Sequence, residues 1–283
     1  MLKAEAAQGI SHVIATPHFY AHRTTPERFL EKRNRAEMIL REEMEKHTGL
    51  PQLSVGAEVY FFKGISDCEA LNLLTIAKNS CILLEMGESP WGESAYLEMV
   101  QIWEKQGLTP LIAHVDRYVA PWRHYGIPSR LETLPVAVQA NAGFFLRPST
   151  SRMAMRMLKR GQIHVLGSDC HNMTSRQPNL GVALRKIQNK LGQEAVDHIL
   201  SCEKSLLGKA ILKCCIEADM SCNDLSKQVG VHNQTLSRWI DGSKTHNRIP
   251  FETMEQILLF FCEKLKGTVI GRQELTNLVK ATF

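Results

Sequence analysis

The sequence predicts an α/β fold built on parallel strands, as an open sheet or a barrel, followed from about residue 208 by a small all-α domain. Three observations predict it. Up to about residue 205, short apolar runs alternate with longer charged segments of helical period, the pattern of βα units. Four of those runs end in a histidine or an acid: Val13–His18, Cys81–Glu85, Leu111–His114, and Ile163–Leu166, which leads into Gly167-Ser168-Asp169-Cys170-His171-Asn172. After about Leu207 the strand-like runs cease and only helical periods remain.

Taken in order, the run Val13–His18 reads as a strand with His18 at its end. Thr25 to His47 reads as a helix, because Thr25-Pro26-Glu27 supplies a cap, a first-turn proline and an early acid. Phe29, Ala36, Ile39 and Leu40 would give that helix its apolar face. Ser54 to Phe61 reads as one strand carrying Glu58 inside it, and Cys81 to Glu85 as another ending in an acid. Tyr96 to Gln106 and Ser151 to Arg160 read as helices stopped by Gly107 and Gly161. The strands ending at His114 and before Asp169 follow these helices.

Composition sets outer limits. The 283 residues are 44% hydrophobic, enough for one large domain, 1–207, and a small one, 208–283. Net charge is a mild +5, so charge alone points to neither nucleic acid nor membrane. Eight cysteines without a C-x-x-C pair are expected to be reduced thiols in the cytoplasm. No leader sequence opens the chain, and no apolar run reaches the roughly 18 residues of a membrane span, so no membrane insertion is expected.

Side chains at the C-terminal ends of parallel strands converge on one mouth of an α/β sheet or barrel. Imidazoles and carboxylates gathered there suit divalent ions such as zinc or manganese, and such ions close together can clamp a phosphoryl group. The bland alternative for His18, between Pro17 and Phe19, is a buried hydrogen-bonded histidine. Glu58 and Glu85 are harder to dismiss, because a carboxylate in an apolar strand is costly to bury without a cation.

The phrases Ala15-Thr16-Pro17-His18, Gly56-Ala57-Glu58-Val59-Tyr60, Leu83-Leu84-Glu85-Met86, Ala113-His114-Val115-Asp116-Arg117-Tyr118 and Gly167–Asn172, running on to Arg176-Gln177-Pro178-Asn179-Leu180, resemble the polymerase-and-histidinol-phosphatase (PHP) superfamily. Within it they are most similar to the bacterial metal-dependent protein-tyrosine phosphatases encoded with capsule and exopolysaccharide loci. That resemblance implies a distorted (β/α)7 barrel with a trinuclear site, usually manganese, with zinc, iron or cobalt as alternatives. It implies hydrolysis of phosphotyrosine in the tail of a tyrosine autokinase, without a covalent nucleophile. His18, Glu58, Glu85, His114, Asp169 and His171 would be the metal ligands, and Arg117 and Arg176 would bind phosphate oxygens with their guanidinium forks. His22, close behind His18, is held open as a substrate contact. Members of this family open with a strand bearing Asp-x-His-x-His. The chain begins after such a strand, at what should be the first helix, and is expected to be a truncated form, with a degenerate and inactive domain as the alternative.

Cys170 to Arg176 also satisfies the C-x5-R spacing of thiol-based tyrosine phosphatases, though no glycine lies between them to let backbone N–H groups wrap a phosphate. In 208–283, Ser221 to Val229 reads as a short helix, Gly230-Val231-His232 as a turn, and Asn233 to Trp239 as a second helix stopped by Gly242. This resembles phage-repressor-like helix-turn-helix domains. It implies duplex DNA as a partner, with Asn233, Gln234, Thr235, Ser237 and Arg238 near base edges and Lys244 near phosphates. The bland alternative is a dimerisation bundle.

Overall fold

Among the described residues, eight strand segments, all paired in parallel, make the framework of the first part of the chain. The computed structural model describes residues 1–76, 81–87, 90–119, 126–200, 220–230 and Phe260. It divides into two units, Met1–Val196 and Asp197–Phe283. In the first unit, β1 (His12–Ala15) pairs with β3 (Gln52–Val55). A six-stranded sheet then runs β2 (His18–Phe19), β4 (Glu58–Tyr60), β5 (Cys81–Glu85), β6 (Thr109–Ile112), β7 (Ala137–Asn141), β8 (Val165–Gly167). Each strand lies beside the one before it in the sheet, the progression of a barrel-type α/β fold, here a curled half-barrel.

The expected single strand from Ser54 to Phe61 is two strands, and the run ending at His18 is broken in the same place. His12 faces Gln52 and His18 faces Glu58, so the register is unchanged across the break. The interruption falls where Thr16-Pro17 lies beside Gly56-Ala57. Pro17 has no N–H for a ladder, and Gly56 touches the chain around Ile76 so closely that a Cβ would lie 2.9 Å from the Ile76 Cα. The ladder resumes when Glu58 donates its N–H to the Pro17 carbonyl at 3.0 Å.

Helix α1 (Leu2–Ala6) precedes the strands, and Gln8 just beyond it is bonded to Pro178 and Gly181 at the start of the helix Leu180–Leu191. Helix α2 (Pro26–Glu45) begins as its sequence demands, with the Thr25 side chain accepting the Arg28 N–H. Its expected apolar face is a correction. Only Phe29 is buried, edge-on to Phe19, while Ile39 is 60% exposed and Ala36 and Leu40 are also at the surface. The reason is that polar arms hold this helix: Arg33 reaches the carbonyls of Gly56 and Leu73, and Arg41 that of Leu53.

Helix α3 (Glu93–Gln106) starts three residues before the expected Tyr96 and stops at Gly107, whose φ of +63° only glycine adopts readily. The helix Pro148–Lys159 likewise starts early, at the proline of its first turn. Strand β5 is buried along its whole length and sits at the centre of the core. Among the described residues no helix is long and apolar enough to cross a membrane. In the second unit the helix Cys222–Gln228 is capped reciprocally by Ser221 and Asp224, and Gly230 follows in the left-handed conformation.

Gly56→Ala is expected to cost about 1–3 kcal/mol, because the added methyl meets backbone that cannot step aside. Ile39→Gln should change stability by less than about 0.5 kcal/mol. Urea unfolding of the two variants checks both expectations.

Candidate metal centre

Strand register explains why the acids share a place. Glu58 faces Leu83, two residues before Glu85 on the next strand, and side chains two apart along a strand lie on one face. His18 faces Glu58 from the other side. The structure accordingly holds ligand atoms of His18, Glu58 and Glu85 all within 4.8 Å of one another. His114 arrives differently. Leu83 and Leu84 face Leu111 and Ile112, so an extended chain would send His114 to the far face. A left-handed turn, with φ of +36°, brings it back, and its Nε2 lies 2.8 Å from Glu58 Oε1 and 3.5 Å from Glu85 Oε1.

Asp169 and His171 enter from the loop after β8, Asp169 also with a left-handed φ of +49°. They stand one guanidinium away from the first four residues. Arg117 donates from Nη1 to Glu85 at 2.8 Å and from Nη2 to Asp169 at 3.2 Å, and Arg176 forms a second close ion pair with the same Asp169 oxygen. His171 Nδ1 lies 3.1 Å from the Asp169 carbonyl, to which it can only donate, and its ring lies 6.3 Å from that of His18. All six sequence-expected ligands and both arginines are therefore gathered around one rim. His22 is exposed, beside Tyr20 at 5.7 Å and bonded by Arg23. The DNA-contact residues Asn233, Gln234, Thr235, Ser237, Arg238 and Lys244 lie outside the described residues.

The charges are mutually perturbed. Glu85 is held well below the ordinary carboxylate range by His114 and then His18. His18 is raised, first by Glu85. Burial pushes the His114 imidazole down, yet the carboxylates of Glu58 and Glu85 outweigh it and lift the ring to about 9. The Tyr118 hydroxyl, raised by burial, bonds both the N–H and the carbonyl of Met86 and so pins α4 (Asp116–Val119) against the end of β5.

These residues fit a divalent metal. Glu58 Oε1, Glu85 Oε2 and His114 Nε2 are buried without a hydrogen-bond partner, although buried polar atoms are nearly always satisfied. His114 Nε2 and Glu58 Oε1 approach as an ion pair whose direction is poor for a hydrogen bond. Donors that face one another this way share a centre that a cation would fill, and imidazole with carboxylate is the donor set of zinc or manganese.

Sequence reasoning missed β7. Gln139, only 7% exposed, accepts the His114 N–H at 2.6 Å, and Asn141 donates to Asp169 at 3.3 Å. The signal was present in Val136-Ala137-Val138, a short apolar run that ends in polar residues as the other four do.

The family described as Capsular polysaccharide synthesis, CpsB/CapC, matches residues 1–207. The chain is 22% identical over 212 residues to the tyrosine-protein phosphatase CpsB of Streptococcus agalactiae serotype V, covering 70% of this chain and 84% of that protein. It is 24% identical over 156 residues to CpsB of Streptococcus pneumoniae, covering 52% and 64%. Its fold is similar to a chain from the crystal structures of YwqE from Bacillus subtilis and CpsB from Streptococcus pneumoniae, described as unique metal-dependent tyrosine phosphatases. That likeness has a TM-score of 0.62 at 22% identity over 72% of this chain and 83% of the other.

With a pKa of about 9, above the ordinary 6.5, His114 carries a proton at neutral pH in the metal-free chain. A ligand must shed that proton, so metal affinity should rise with pH up to about 9, and loading at pH 7 should release about one proton from this ring. Calorimetric titration in two buffers of different ionisation enthalpy counts it, and metal binding without proton release would remove His114 from the ligand set.

Proposed function

The chain belongs to the CpsB/CapC family of capsular polysaccharide synthesis, and from that premise we propose that it is a metal-dependent protein-tyrosine phosphatase. Its substrate in this reading is a phosphotyrosine protein, a tyrosine autokinase of polysaccharide synthesis. Support for the substrate comes from the phosphatase names of the relatives. The observation that carries the chemistry is the cluster of His18, Glu58, Glu85 and His114, with three buried donor atoms unsatisfied and two guanidinium groups on the same rim.

His18, Glu58, Glu85, His114, Asp169 and His171 would hold the ions, manganese in this reading, with zinc, iron or cobalt suited to the same donors. Bound there, divalent ions supply charge neutralisation for a phosphoryl group and a nucleophile at neutral pH. Arg117 and Arg176 flank Asp169 and present forked donors that match the non-bridging phosphoryl oxygens. His22, exposed behind His18, would meet the substrate farther out.

The thiol alternative fares poorly on geometry. Burial pushes the Cys170 thiol up, which disfavours the thiolate that must attack. The N–H groups of Thr174, Ser175 and Arg176, which would have to cradle a phosphate, all donate to the Asn172 side chain at 2.8–3.0 Å. Chelator should therefore abolish phosphotyrosine turnover while Cys170→Ser leaves it within about threefold. A Cys170→Ser chain that keeps its metal but loses all turnover would return the thiol mechanism.

Arg117→Lys keeps a charge but loses the fork, and should lower kcat/KM for phosphotyrosine peptide by roughly 10–100-fold. Turnover kinetics on the metal-loaded chain measure it; an unchanged kcat/KM would place the phosphate elsewhere.

A second reading concerns residues 208–283, for which we propose a helix-turn-helix that binds duplex DNA. It is favoured by the capped helix Cys222–Gln228, its buried Leu225, and the buried Val229 and left-handed Gly230 that follow it. Binding of the whole chain to genomic fragments should weaken as salt rises, and Arg238→Ala should weaken it further by roughly 1–3 kcal/mol. Salt-insensitive or absent binding would leave the dimerisation bundle.

A further inference from the structure

Resting on the metal-centre reading above, we propose that Gln139 and Asn141 are positioning residues that tie the turn after β6 to the turn after β8, and that metal affinity depends on this tie. His114 and Asp169 are the non-glycine residues with positive φ among the described residues, and both are candidate ligands. Positive φ is uncommon for any residue with a Cβ, although His and Asp adopt it more readily than most, so each turn gains from a contact that holds it. Gln139 takes the His114 N–H on its Oε1 at 2.6 Å and donates from Nε2 to Asn141 Oδ1 at 3.1 Å. Asn141 donates from Nδ2 to Asp169 Oδ2 at 3.3 Å, and its own N–H is bound by Asp116 at 2.9 Å. Three hydrogen bonds in series thus connect one such ligand to the other.

Two further features mark the link as a built one. Gln139 is buried in the sheet and spends both ends of its amide on these partners. The neighbouring strand makes room for it: Asn141 faces Gly167, and a Cβ on Gly167 would lie 2.5 Å from Gln139 Nε2. A Cβ at 167 would have to push the Gln139 amide from the space it occupies.

The test measures manganese binding to the full chain by calorimetry, beside hydrogen exchange of the His114 amide in the metal-free chain. Gln139→Leu should weaken manganese binding about 10–100-fold, the range seen when groups that orient metal ligands are removed. Gly167→Ala, which touches no ligand, should do the same by displacing the Gln139 amide. Because either substitution breaks one series, Gln139→Leu with Asn141→Ala should bind within about twofold of Gln139→Leu alone. A merely structural role would instead give independent, multiplying losses that track the urea midpoint. The His114 amide should exchange at least about tenfold faster in Gln139→Leu and in Asn141→Ala.

Manganese affinity within twofold of the wild type in Gln139→Leu, or multiplying losses in the double variant, would overturn the proposal. A wild type that takes up no manganese or zinc would sink the metal-centre reading itself. In that case the exchange rates still decide whether the tie exists, and an unchanged His114 amide in both variants would overturn it.

Discussion

Glu58 and Glu85 stand on the same face of neighbouring strands with 6% and 8% of their surfaces in water, and two carboxylates so placed must be met by positive charge. Three groups meet them here. His114 enters between them at 3% exposure, His18 approaches both from the adjacent strand, and Arg117 bonds Glu85 from the rim. The strongly lowered Glu85 and raised His114 are two expressions of that compensation. Beyond the Arg117 bond to Glu85 Oε1 it does not complete the hydrogen bonding, since Glu58 Oε1, Glu85 Oε2 and His114 Nε2 are left without a partner. Charge is balanced and geometry is not, which separates a site shaped for a cation from an ordinary buried ion pair.

The sheet supplies this arrangement through register, and the loops supply it through backbone turns. Register alone places His18, Glu58 and Glu85 together, because parallel strands in sequential order keep equivalent positions on one face. His114 and Asp169 need a reversal of direction after their strands, and both take left-handed φ to make it. The polar residues of β7 lie between those two turns. A fold that spends uncommon backbone at two candidate ligand positions, with a buried amide between them, places its irregular geometry at the candidate site.

How much of this was legible follows from what each residue does for the strand it ends. His18, Glu85, His114 and Asp169 were readable because each closes or follows an apolar run, and Glu58 because a lone acid interrupts one. The break beside Gly56 follows from Pro17, whose missing N–H removes one ladder bond between the Gly56 and Glu58 N–H groups that still donate to Ala15 and Pro17; what was not legible is the close approach of Gly56 to Ile76, some twenty residues away in sequence. β7 escaped notice because Gln139 and Asn141 look like ordinary strand-end polar residues; their importance lies in partners on other strands. The outer face of α2 was misread for a related reason. Apolar periodicity reports which residues could be buried, whereas this helix is attached by Arg33 and Arg41 to strand carbonyls, leaving Ile39 in solvent.

Arg117 and Arg176 bear on whether the centre depends on metal for its shape. Many small metal sites are disordered without their ion, because like-charged ligands repel. Here Arg117 bridges Glu85 and Asp169, and Arg176 shares the same Asp169 oxygen, so the acids of the rim have cations already. Were divalent charge to satisfy those carboxylates, both guanidinium forks would lose their present partners while remaining on the rim. Their donors would then face the space above Asp169, where an anion with several oxygens is the natural replacement. In the proposed phosphatase reading the same two side chains would hold the acids of the rim in one state and bind phosphoryl oxygens in the other, a change of partner suited to the forked donors of arginine.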